Sequence, residues 1–130
     1  MVGIVLVTHC RLGEALLEAA RFIGGNLRNV RAISVQDQNM EDLRKVIASA
    51  IEEVDEGDGV LVLTDMFGGT PSNISLSFLE AGKREVITGV NLPMLLSAIN
   101  QQGNDLKALA AYVKQKAMSS IIHASEELNK

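Results

Sequence analysis

The stretch GIVLVTH, residues 3–9, has a near-echo further on: GVLVLTD, residues 59–65. In both copies a glycine leads into four apolar residues and a threonine, and the last position carries His9 in one and Asp65 in the other. A strand with one wet face alternates apolar and polar residues, whereas an unbroken aliphatic run fits a strand covered on both faces. Two such strands in 130 residues point to a parallel sheet sandwiched between helices. They also raise the question of why one should end on an imidazole and the other on a carboxylate.

Around these two runs the pattern alternates. Val2 to Val7 reads as the first strand, and Gly13 to Ile23 as a helix with Leu16, Leu17, Ala20 and Ile23 inward, stopped by Gly24-Gly25. Val30 to Val35 is a second strand, followed by a helix from Met40 to Val54 that Asn39 caps and that turns Leu43, Val46, Ile47, Ala50 and Val54 inward. After the third strand, Val60 to Thr64, comes Gly68-Gly69-Thr70-Pro71-Ser72, in which two glycines allow a tight turn, Thr70 can cap and Pro71 suits a first helical turn. That helix should reach about Leu79. Glu85 to Val90 is the fourth strand; Asn91-Leu92-Pro93 opens a helix to about Asn100, and another spans Asp105 to about Lys116. Beyond Ala117 the period blurs, and Met118 to Ala124 suits either more helix or an edge strand.

Strands alternating with helices imply right-handed crossovers and an α/β fold. The expected architecture has three layers, helix–sheet–helix, around a mostly parallel four-stranded sheet of order 2-1-3-4. In such sheets ligands bind beyond the carboxyl ends of the strands, where the strand order reverses. His9 and Asp65 then emerge side by side. A carboxylate there accepts the imidazole Nδ1–H and leaves the Nε2 lone pair facing solvent, an uncharged nitrogen nucleophile. The surroundings favour an anion as its target: the backbone N–H groups of Gly68, Gly69 and Thr70 can form a nest, the first helix aims its positive end at the same crevice, and the hydroxyls of Thr8, Thr70 and Ser72 add donors.

The totals narrow the field. A composition 47% hydrophobic and 22% charged is that of a globular domain, and with 3% aromatics the core must be aliphatic. A net charge of −4 argues against nucleic acid as a partner. One cysteine forms no internal disulfide, which suits a reducing, cytoplasmic setting, and the apolar run at the start is far too short for a membrane span. Phosphate-loop, dinucleotide and zinc-protease motifs are all missing, and no metal or other cofactor is expected. Cys10 reads as a small, half-buried spectator, His123 as a surface or edge residue and Met94 as core. Leu12, Met66 and Phe67 flank the presumptive site and offer an apolar docking surface.

Three motifs in order, VTH at the first strand end, TDMFGGTPSN and ITGVNLPML, carry a resemblance to the IIA proteins or domains of the mannose-family sugar phosphotransferase system (PTS), and it runs along nearly the whole chain. The resemblance implies a single IIA domain over residues 1–130 and a phosphoryl carrier. His9 would take a phosphoryl group from the histidine-containing protein HPr and pass it to a IIB subunit, with Asp65 orienting it and Gly68 to Ser72 cradling the phosphate. The membrane would be involved only indirectly, through transporter subunits. The resemblance also implies a homodimer in which Met118 to His123 becomes an exchanged antiparallel edge strand. Related sequences often carry glycine after the histidine, where this one has Cys10. No IIB sequence is attached, so the acceptor would be a separate protein. Two other roles fit the same motifs: donor module for dihydroxyacetone kinase, and a regulator read out by partner binding. A flavodoxin-like nucleotide binder is disfavoured by the scarcity of aromatics for stacking.

Overall fold

The computed structural model describes residues 1–24 and 27–128. Four strands, β1 (Gly3–His9), β2 (Val30–Val35), β3 (Val60–Thr64) and β4 (Arg84–Ile87), form one parallel sheet of order β2-β1-β3-β4. Between and after them run α1 (Leu12–Gly24), α2 (Met40–Val54), α3 (Thr70–Leu76), α4 (Leu92–Asn100), α5 (Leu106–Ser119) and α6 (Ala124–Leu128). Gly24 is the last residue of α1; Gly25, the other half of the expected stop, lies outside the described residues.

The two aliphatic runs occupy the sheet's centre, where both faces need covering. Ile4, Leu6, Leu61 and Leu63 face α1, α4 and α5, packing on Ala20, Leu95, Leu109 and Val113. Val5, Val7, Val60 and Val62 face α2 and α3, packing on Leu43, Ile47, Ala50 and Ile74. Each strand alternates between two separate cores, so every position must be apolar. The echo between the runs marks their shared start: the Gly3 N–H donates to the Gly59 carbonyl at 3.0 Å, and Val7 lies opposite Thr64 in the register.

Helix starts follow the expected chemistry. Asn39 Oδ1 accepts from the Glu41 and Asp42 amides, Asn91 Oδ1 from Met94 and Asp105 from Ala108. Four expectations are corrected: the inward Val46, the inward Ile23, the end of α3 and the extent of β4. Val46 and Ile23 are exposed rather than inward; on α2 the buried stripe is the one centred on Leu43, Ile47, Ala50 and Val54. α3 stops at Leu76, not Leu79, and β4 is a four-residue strand, after which the chain stays beside β3 through a Val90 N–H to Thr64 carbonyl bond of 2.9 Å. Met118 and Ser119 belong to α5, and residues 120–123 form no strand within the chain.

Candidate functional site

The pairing register is shifted by one residue against the echo, with Val7 rather than Thr8 opposite Thr64, so β1 runs two residues past that pair to His9 while Asp65 is the first residue after β3. That offset brings them into contact. Asp65 Oδ2 accepts from the His9 backbone N–H at 2.9 Å and lies 2.8 Å from His9 Nδ1, while Oδ1 accepts from the Met66 amide at 3.0 Å. Burial of Asp65 by itself would raise its carboxyl pKa, but the backbone and ring N–H groups of His9 and the charge of that ring outweigh it and hold the carboxyl below its usual value. An ionised carboxylate only accepts, so Nδ1 carries a proton, and in the neutral ring the lone pair is then on Nε2. The Asp65 side chain is 11% exposed and the His9 ring 46%, an anchored carboxylate beneath an open nucleophile.

The glycine pair of the next loop serves two separate physical needs. Gly68 sits at φ +95°, the left-handed region that costs other residues strain. Gly69 has an ordinary extended backbone, yet a Cβ there would lie 2.8 Å from His9 Cε1 and 3.2 Å from Nε2. Its missing side chain lets the loop close over the imidazole edge. α3 begins here with Gly69 as N-cap, Pro71 in the first turn and no side-chain cap, so the first amides of α3 lack helical partners.

Two of the three hydroxyls expected around a phosphate, those of Thr8 and Ser72, are buried. Thr8 is fully buried, and its Oγ1 accepts from the Gly13 amide at 2.8 Å, which fixes the start of α1. Thr8 therefore positions a helix instead of lining an anion site; alternation along β1 turns its side chain to the face opposite that of Val7 and His9. Thr70 is not a cap, because that place belongs to Gly69. Ser72 Oγ is buried without a hydrogen-bond partner, as are Thr64 Oγ1 and Ser75 Oγ, so Ser72 offers the open face no hydroxyl.

Cys10 is exposed rather than half-buried, and it holds the left-handed φ of 49° while its N–H donates to the Val35 carbonyl at 2.9 Å. That conformation is why glycine suits this position. Leu12, Met66 and Phe67 are 45%, 55% and 73% exposed. His123 is on the surface, paired with Glu126 at 2.6 Å, and Met94 is core. Periodicity gave no hint of the pair Arg11–Glu14 (3.0 Å) or of the Ser34 hydroxyl donating to Glu14 at 3.2 Å, though Arg-x-x-Glu is a readable i,i+3 spacing. Among the described residues, no group of three His, Cys, Asp or Glu side chains could hold a metal ion, and no helix is long and apolar enough to cross a membrane.

A family model described as EIIA-man, PTS system fructose IIA component, matches residues 3–115. The chain belongs to this family. It is 31% identical over 133 aligned positions to the PTS fructose-specific EIIA component of Bacillus subtilis, covering 100% of this chain and 91% of that one. To the sorbose-specific EIIA component of Lacticaseibacillus casei it is 33% identical, over 85% of this chain and 81% of that protein. The mannose-specific EIIAB component of Escherichia coli K12 is 35% identical over 80% of this chain, and the match spans only 33% of that longer protein. Among solved structures, EIIA from Streptococcus agalactiae superposes with a TM-score of 0.87 at 26% identity, covering 97% of this chain and 99% of that one. The mannose/sorbose IIA subunit of Enterococcus faecalis gives 0.80 at 26% identity, with 93% and 92% coverage. The EIIA-man chain is thus a phosphoryl carrier of the sugar phosphotransferase system, on the fold its sequence implies.

Proposed function

We propose that this IIA domain, residues 1–130, carries the phosphoryl group as a phosphohistidine on His9, taking it from HPr and giving it to a IIB subunit. The observation that carries this reading is the 2.8 Å contact of His9 Nδ1 with Asp65, which in the neutral ring assigns the lone pair to Nε2 of a half-exposed side chain. In the first transfer the Nε2 lone pair forms the new N–P bond as the N–P bond of the donor's protonated phosphoimidazole breaks. The donor ring leaves neutral, and His9 becomes a phosphorylated imidazolium whose Nδ1–H stays on Asp65. No proton enters or leaves. Asp65 thus meets the positive charge as it develops, and that is when a fixed carboxylate helps most. The second transfer is the same exchange run toward the acceptor. Backbone amides of Gly68, Gly69 and Thr70 supply donors to the phosphoryl oxygens, and Leu12, Met66 and Phe67 form the apolar docking ring for both partner proteins.

Incubation with phosphoenolpyruvate, enzyme I and HPr should add one acid-labile, base-stable phosphate. A His9→Ala protein that still took up this phosphate would refute the assignment. We place the protein in the cytoplasm, where HPr and phosphoenolpyruvate are. We also assign it a second copy as partner: β4 is an open sheet edge, and Met118, Ile121 and Ile122 are exposed beside the groove lined by Val86, Ile87 and Thr88. Sedimentation should give a dimer, and Ile121→Asp with Ile122→Asp should return it to monomer.

A further inference from the structure

We propose that Arg11 is the phosphoryl-binding cation of the site, held in reserve by Glu14 and released to the phosphoryl group when His9 is loaded. The inference rests on the assignment of His9 as acceptor and adds to it the source of positive charge. A phosphoryl group brings close to two negative charges to a loop cluster that is poor in cations. The four connections that leave the carboxyl ends of the strands are residues 10–11, 36–39, 65–69 and 88–91. Among these described residues Arg11 is the one Lys or Arg, against two carboxylates, Asp37 and Asp65. Asp65 is already committed to His9. The donors at the start of α1 are also partly spent, since the Gly13 amide is bonded to Thr8 Oγ1. Backbone amides alone would have to offset the dianion unless Arg11 takes part.

The placement allows it. Arg11 follows His9 by two residues, so their Cα atoms lie within roughly 7 Å of each other. Cys10 between them takes the left-handed turn. The Arg11 side chain is 79% exposed and its Nη2 sits 3.0 Å from Glu14 Oε2, with the other Glu14 oxygen accepting from Ser34 Oγ at 3.2 Å. An exposed i,i+3 pair of this kind is weak and screened by salt. A phosphoryl dianion offers the planar guanidinium two oxygens and twice the charge, so it outcompetes one carboxylate. Glu14 meanwhile keeps its Ser34 partner and needs no rescue. The exchange moves no atoms between molecules: it replaces one ion pair by another while the N–P bond forms on Nε2.

The test compares wild type, Arg11→Gln, Arg11→Lys and Glu14→Gln for the rate of phosphate uptake from phosphorylated HPr. The Arg11 Nε–H resonance is followed before and after loading, and melting curves confirm that each variant is folded. Arg11→Gln should be about tenfold slower, less than the loss of a donor in a water-excluded site because this one is open to water. Arg11→Lys should recover part of the rate, since it keeps the charge and loses the fork. Glu14→Gln should load faster than wild type, and the Arg11 resonance should shift on loading. An Arg11→Gln protein loading at the wild-type rate, or an Arg11 resonance unmoved by loading, overturns this inference and leaves the His9 assignment standing. Wild type that accepts no phosphate at all overturns both.

Discussion

Gly69→Ala separates the two jobs of the glycine loop. The backbone there, φ −90° and ψ 174°, is one that alanine adopts freely, so the substitution adds no backbone strain. By itself it should stabilise the chain by about 0.4–1 kcal/mol through the unfolded state. Against this, the new methyl lies 2.8 Å from His9 Cε1 and 3.2 Å from Nε2, too close for either to stay. The loop is tied at Asn73 N–H to Gly69 carbonyl, 2.9 Å, so the ring is the softer partner. Turning it off its rotamer costs about 0.5–1.5 kcal/mol, and stretching its bond to the Asp65 carboxylate forfeits some of the roughly 1.5–3 kcal/mol that a charge-assisted hydrogen bond contributes. Net stability should therefore fall by only about 1–2 kcal/mol. A loss of that size in the transition state slows phosphoryl uptake roughly five- to thirtyfold. The assay is phosphate incorporation from phosphorylated HPr with urea unfolding in parallel, and the His9 ring resonances report the displacement directly. Wild-type uptake with unmoved ring resonances would refute the claim that Gly69 is there to clear space for the imidazole.

Two other outcomes follow from the same contacts. The Asp65 carboxyl sits below its ordinary value because its ionised form is bonded to His9, so its contribution to stability is complete above about pH 4 and is lost as pH falls through the depressed folded value. Asp65→Asn should flatten that acid limb of the stability curve, and it should slow phosphate uptake with the fold intact; an unchanged acid limb would show that the carboxylate is not coupled to folding. Thr8→Val removes the buried acceptor of the Gly13 amide and should cost about 1–2 kcal/mol by thermal unfolding. A melting temperature unchanged in Thr8→Val would return Thr8 to the list of anion-site hydroxyls.

How much of the site was legible follows from how local its determinants are. His9 and Asp65 could be paired from the aligned runs because strand pairing is itself periodic, and neighbouring strands that share a pattern end together. The hydroxyls could not be assigned. Thr8, Thr70 and Ser72 look alike as donors in sequence, but alternation on β1 turns Thr8 away from His9's face, Gly69 takes the cap that Thr70 might have made, and α3 buries Ser72. Val46 was misplaced because helical spacing fixes a stripe without its width, and only the sheet beneath α2 decides where the stripe ends.

The residues alone determined the layered architecture, since strands that are aliphatic at every position have no stable state except between two covering layers. They also determined the order of elements, through the caps at Asn39, Asn91 and Asp105. Tertiary structure decided what no single segment encodes: the one-residue offset between β1 and β3 that sets Asp65 against the His9 ring, the clearance at Gly69, and the pairing of Arg11 with Glu14 beside Ser34. The reason is distance along the chain. Asp65 comes to rest 2.8 Å from a ring 56 positions away, and a contact of that separation is fixed by register and packing, which local propensity does not carry.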